Sequence, residues 1–228
     1  MKTSLILILL TMVITGIAAC SGVDQENGDA GGNATADKAG KPAKMIPATS
    51  TVAQTERNLE VCRAATIKLG GALKSALMGA MGEDGPVGAM NVCHDEAEVI
   101  AQRICEEDGL EVGRTSRKFR NSSNAPDEWE KAGLETFAAR IAAGEKLQGM
   151  EMWATVTDAD GRNIFRYLKA ISTGALCLKC HGAEPAPEVA EILAEFYPED
   201  QAVGFSAGEM RGAFTVQLEL PRSGASGS

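Results

Sequence analysis

"EMWATVTDADGRNIFRYLKAI" occupies residues 151–171, and its reading decides the fold class. Two runs rich in β-branched and aromatic residues flank Asp160-Gly161. That dipeptide favours a short hairpin turn, so the stretch predicts two antiparallel strands. Downstream, "GAFTVQLEL" (residues 212–220) alternates and predicts another strand. Upstream the period changes. Leu59, Cys62, Thr66, Leu69, Leu73 and Leu77 recur at helical spacing and predict a long helix over 52–79. "MGEDGP" (81–86) is a turn, with Pro86 opening the next helix. Met90, Cys93, Ala97, Ile100 and Ile104 form a second helical stripe that Gly109 ends, which completes a helical hairpin. Pro126-Asp127 starts a third helix and Gly144 stops it; a further helix is expected at about 186–196. Helices followed by antiparallel strands give an α+β domain.

The 228-residue chain carries a formal net charge of -9, which argues against a nucleic-acid partner, whose phosphates attract a basic surface. Its start, "MKTSLILILLTMVITGIAAC", has Lys2, an apolar run from Leu5 to Ile14, then small residues before Cys20. This is the layout of an export signal over 1–19. Its "IAAC" ending resembles the lipobox of bacterial lipoproteins, in which the matching cysteine, here Cys20, is acylated. Ser21 follows it, so the expected location is the periplasmic face of the outer membrane, with the membrane reached through the lipid anchor. Residues 20–50 are rich in Gly, Ala, Asp, Asn and Thr and read as a tether. The folded domain is expected over 51–220, with a tail at 221–228.

"CLKCHG" (177–182) carries the chemistry. Two thiols three residues apart match the two vinyl groups on one porphyrin edge, and the histidine that follows can ligate the iron. One covalent haem c is therefore expected on Cys177 and Cys180, with His181 as axial ligand. A zinc site needs two more paired soft ligands, and no second C-x-x-C exists. A thioredoxin-like dithiol wants a strand-to-helix turn, which Gly182-Ala183-Glu184-Pro185 fits poorly.

Of the six cysteines, Cys62, Cys93 and Cys105 remain. About the hairpin turn, Cys62 and Cys105 are equidistant and so lie level on the two arms. A Cys62–Cys105 disulfide is expected in an oxidising compartment, against the alternative of two buried free thiols. Cys93, His94 (the only other histidine), a methionine or nothing are the candidates for the far side of the iron. Cys93 and His94 point about 100° apart on a helix, so at most one of the two faces it. Where Cys93 is that ligand, the cavity should lie between it and His181. Arg114, Arg117, Lys118 and Arg120 form a basic run whose arginines suit pairing with haem propionates.

"NVCHDEAEVIAQ" (91–102), "VGRTSRKFRNSSNAPDEWE" (112–130), "ALCLKCHG" (175–182) and "YPEDQAVGFSAGEMRGAFTV" (197–216) follow one another in this order. Together they resemble the PAS-like c-type haem domain family, over about residues 55–220. The resemblance implies a PAS-like central antiparallel sheet with helices around it and covalent haem at C-x-x-C-H. It also implies Cys93 rather than His94 as distal ligand, and Arg114 and Arg120 as the arginines at the family's positions. The family further implies a redox or small-ligand sensor, here acting through a separate periplasmic redox or signalling partner, with a small gas as possible ligand. The alternative is a periplasmic electron-transfer cytochrome. An enzyme such as a peroxidase ranks last, for want of acid–base groups around an open iron position.

Overall fold

In a computed structural model, which describes residues 48–221, the expected hairpin forms. β2 (Glu151–Thr157) pairs antiparallel with β3 (Asn163–Ser172), from Glu151 opposite Lys169 to Thr157 opposite Asn163. The turn between them is wider than a two-residue loop. Asp158 organises it, its carboxylate accepting from the backbone N–H groups of Asp160 at 3.0 Å and Arg162 at 2.8 Å. β4 (Met210–Glu219) lies along β3, and β1 (Glu111–Thr115) lines the other edge of β4. The sheet order is β1-β4-β3-β2, all antiparallel. The α+β class with a central antiparallel sheet is as expected; β1 is an addition to it. The export signal, Cys20, the tether up to residue 47 and the tail from 222 lie outside the described residues.

Side chains alternate across a strand, so each face of the sheet receives its own helices. Phe165, Tyr167 and Val216 point to one face. There they pack with Leu59, Cys62 and Leu69 of α1 (Ala48–Glu83) and with Ile100 and Ile104 of α3 (Ala97–Asp108). Leu168 and Ala213 point to the other face and meet Leu134 and Phe137 of α4 (Glu128–Ala142). Each large apolar side chain buried in these layers contributes roughly 1.5–3 kcal/mol. Asp127 caps α4 in a reciprocal box with Glu130, its carboxylate accepting from the Glu130 N–H at 2.8 Å.

Two expectations need correction. The second arm of the helical hairpin is two helices, α2 (Gly85–Asp95) and α3, broken at Glu96 (φ -107°, ψ -23°). The apolar stripe runs on through the break, which is why periodicity did not reveal it. The Cys62–Cys105 disulfide is not formed: both are free, buried thiols. They share one core, and Cys105 turns its sulfur to the start of β1, where the Val112 N–H donates to it at 3.3 Å. Burial pushes the Cys62 thiol up to about 12, which keeps it protonated and unreactive.

Candidate functional site

The C-x-x-C-H motif forms a single helical turn, α5 (Leu178–His181), that starts from Cys177. The His181 N–H donates to the Cys177 carbonyl at 2.9 Å. The chain then turns sharply at Gly182, where a Cβ would fall 2.6 Å from the Leu178 carbonyl oxygen, so only glycine fits. Residues 201–205 run beside this turn and fix it. The N–H groups of Gly204 and Phe205 donate to the carbonyls of Gly182 at 2.9 Å and His181 at 3.0 Å. His181 Nδ1 donates to the Ala202 carbonyl at 2.7 Å. A carbonyl can only accept, so Nδ1 carries the proton and Nε2 keeps its lone pair. Burial, then the nearby Arg211 and Arg120 charges, push the His181 imidazole down to about 3. It is neutral at any physiological pH, which is the form that binds a metal.

Cys93 and His94 separate as helical geometry requires. His94 is part-exposed, stacked on Phe196 at 4.3 Å between ring centroids, with Nδ1 2.7 Å from the Asp95 carboxylate. Phe196 ends α6 (Pro187–Phe196), and the His94 ring also lies 5.6 Å from that of Tyr197. Cys93 is part-buried, near Arg114, Arg120, Tyr197 and Cys180. Burial raises its thiol, and the charges of Arg114 and Arg120 partly offset this. Met90, one turn earlier on α2, packs with Val189, Leu193 and Tyr197 and against Cys180, so α2 is seated directly on the C-x-x-C-H region. Of the two candidates, Cys93 is part-buried and His94 exposed.

Arg120 is held by protein groups. Its guanidinium pairs with Asp200 at 3.0 Å, donates to the Cys180 carbonyl at 2.6 Å and the Ala202 carbonyl at 3.3 Å, and touches Met90 Sδ at 3.8 Å. It clamps the motif turn to residues 200–202. Arg114 differs. Among the described residues no carboxylate bridges it, and burial lowers its pKa while nearby Cys93 and Tyr197 act to raise it. A sunken cation without an acid is an invitation to an anionic group.

The residues present fit a covalently held haem. Two part-buried thiols and a neutral imidazole with a free Nε2 stand on one turn, a third thiol comes from α2, and an unpaired arginine lies beside them. Residues 32–218 match the model of the Tll0287-like family. The chain belongs to the Tll0287-like family. A solved structure described as the crystal structure of the cyanobacterial heme-protein Tll0287 matches with a TM-score of 0.51 and 22% identity, covering 68% of this chain and 93% of that one. No curated protein matches.

Reasoning from sequence missed one residue of this Tll0287-like site. Arg211, on β4, is pushed down to about 10 by burial and by Arg120 and Arg114, and its charge bears on His181. The pattern from Gly212 predicts a strand and says nothing of Arg211; an arginine just ahead of a strand inside an acidic chain is the available signal. Two clefts lie near the motif turn and the sheet. One is lined by α6 and Tyr197–Asp200, the other by α4, β4 and the turn after β1, and neither includes Cys93 or His181.

Proposed function

We propose that this protein binds one haem c through Cys177 and Cys180, with His181 as the proximal ligand and Cys93 opposite it. Tll0287 is described as a cyanobacterial heme-protein, and membership of its family supports haem binding here. The single observation that carries the reading is the state of His181: neutral, its Nδ1 spent on Ala202, its Nε2 free, on a turn that also holds two thiols. When bound, haem would supply one-electron chemistry and an iron whose potential an anionic thiolate lowers. The chain's own part is to hold the imidazole in one tautomer, to present Cys93 from a separate helix, and to offer Arg114 to a propionate.

The role we propose is a redox or small-ligand sensor, working through a separate partner. Cys93 sits on α2, whose joint with α3 at Glu96 would let the short helix turn when its thiol is released. The electron-carrier reading draws on a different observation. Met90 and the α6 residues Val189 and Leu193 wedge α2 in place, which would favour permanent ligation. We also propose that the chain is a lipoprotein acylated at Cys20 on the periplasmic face of the outer membrane.

Expression in a host that matures c-type cytochromes, followed by mass analysis and optical and EPR spectra, tests the reading. One haem should add to the chain, and Cys93→Ala alone should lose the thiolate signature, with His94→Ala unchanged. Absence of added haem would overturn the proposal. Carbon monoxide separates the two roles: a shifted Soret band in the reduced protein supports the sensor, an unchanged one the carrier.

A further inference from the structure

We propose that the cleft between α4 and the start of β4 is a binding site for a carboxylate attached to an apolar body. Its volume is about 340 Å³, within the range of small-molecule sites. Leu134 and Ala138 of α4 form one wall, and Phe205 and Arg211 the other, with the exposed Arg117 and Lys118 beside them. Three cations and no acid line it, in a chain whose net charge is -9. Such a concentration of like charge is unfavourable until an anion enters.

The donors are available. Arg211 Nη1 donates to Ser116 Oγ at 3.2 Å and to the Lys118 carbonyl at 3.1 Å, both neutral acceptors, while Nε and Nη2 have no partner among the described residues. A free guanidinium edge takes a carboxylate in bidentate fashion. Lys118 Nζ, 4.7 Å from the Phe205 ring centroid, donates only to the Val203 carbonyl at 2.7 Å; the Arg211 guanidinium carbon lies 5.1 Å from the same ring. The accessible lining is mostly carbon, with Ala138 exposed and Leu134 and Phe205 buried behind it, which disfavours a bare inorganic anion.

The site is wired to the motif turn. The Phe205 ring stands edge-on to His181, 6.4 Å between centroids, and the Phe205 N–H holds the His181 carbonyl. A ligand that draws Lys118 from Val203 or shifts Phe205 moves the segment whose Ala202 carbonyl orients the imidazole. This coupling rests on the haem reading above; the binding itself does not.

The carboxylate could come from a free acid or from a haem propionate. Calorimetry with benzoate, and with neutral benzamide as control, on haem-loaded protein and on protein made in a host without haem maturation, separates the sources. Saturable benzoate binding to the loaded protein, weakened about tenfold or more by Arg211→Gln and by the exposed Arg117→Gln, supports the free acid. Binding only to haem-free protein, weakened by the same changes, assigns the site to the propionate. Absence of benzoate binding in both forms, or equal binding of benzamide, overturns the proposal whatever the haem content. Benzoate should also shift the Soret band of the loaded wild-type protein but not of Arg211→Gln; binding without that shift overturns the coupling.

Discussion

Glu151 shows how a single side chain ties α1 to the sheet edge. It accepts from Arg63 Nε at 3.2 and 3.1 Å and from the Tyr167 hydroxyl at 2.6 Å. The Arg63 hydrogen bond, opposed by burial and aided by Tyr167, holds its carboxyl below the ordinary 4.5. The unfolded chain therefore binds the extra proton first, and stability rises with pH through this window. The contribution is complete above about 4.5 and is lost as pH falls through the lower folded value. Glu151→Gln should be less stable than wild type at pH 7 by roughly 1–3 kcal/mol, with the gap closing below pH 4.5 in urea unfolding. A gap that persisted in acid would assign the loss to packing. Arg120 and Asp200 form the stricter pair, with side chains 9% and 10% exposed. Arg120→Ala leaves Asp200 sunk and unpaired, so a loss of about 3–5 kcal/mol is expected, larger than for the double change with Asp200→Asn. At this scale the sequence was uneven. Cys177, Cys180 and His181 were easy to place together, because their spacing is local and puts them on one turn. Arg120 and Arg211 were not, because whether an arginine meets an acid or a ligand depends on residues 80 or more positions away.

Among the elements, legibility followed how much of the signal is local. The Asp127–Glu130 cap, the Gly109 stop, the hairpin and β4 carry their own period or punctuation. β1 does not: it has five residues with Gly113 and Arg114 in the middle, and it is a strand because β4 pairs with it from Glu111 opposite Gln217 to Thr115 opposite Ala213. The seam between these strands makes a sharp prediction. Gly212 has φ 155°, and a Cβ there would fall 2.4 Å from the Thr115 carbonyl oxygen. Backbone cannot yield as a side chain can, so Gly212→Ala should cost about 2–5 kcal/mol from strain and overlap together. Gly71→Ala is the matched control. It lies within α1, where an added Cβ meets nothing within 4 Å, and helix propensity should make it stabilising by up to about 1 kcal/mol. Thermal unfolding of the two variants should move in opposite directions; a common direction would mean that the β1–β4 seam does not depend on close backbone approach.

For the molecule as a whole, the lipid anchor proposed at Cys20 can be tested apart from the haem. No described helix is long and apolar enough to cross a membrane. Upstream of the described residues, the apolar run from Leu5 to Ile14 ends in Ala18-Ala19-Cys20, the segment that the proposed acylation would use. A single acyl chain binds a bilayer only marginally, whereas several on one cysteine hold stably. If Cys20 is acylated, wild-type protein should incorporate labelled palmitate and sediment with membranes until detergent is added. Cys20→Ser should lose the label and enter the soluble periplasmic fraction, with haem content unchanged because Cys20 is far in sequence from the C-x-x-C-H turn. Unlabelled wild-type protein, or a Cys20→Ser variant that still sediments, would mean that a surface of the folded domain itself carries the attachment, and the partner would then have to be sought at that surface.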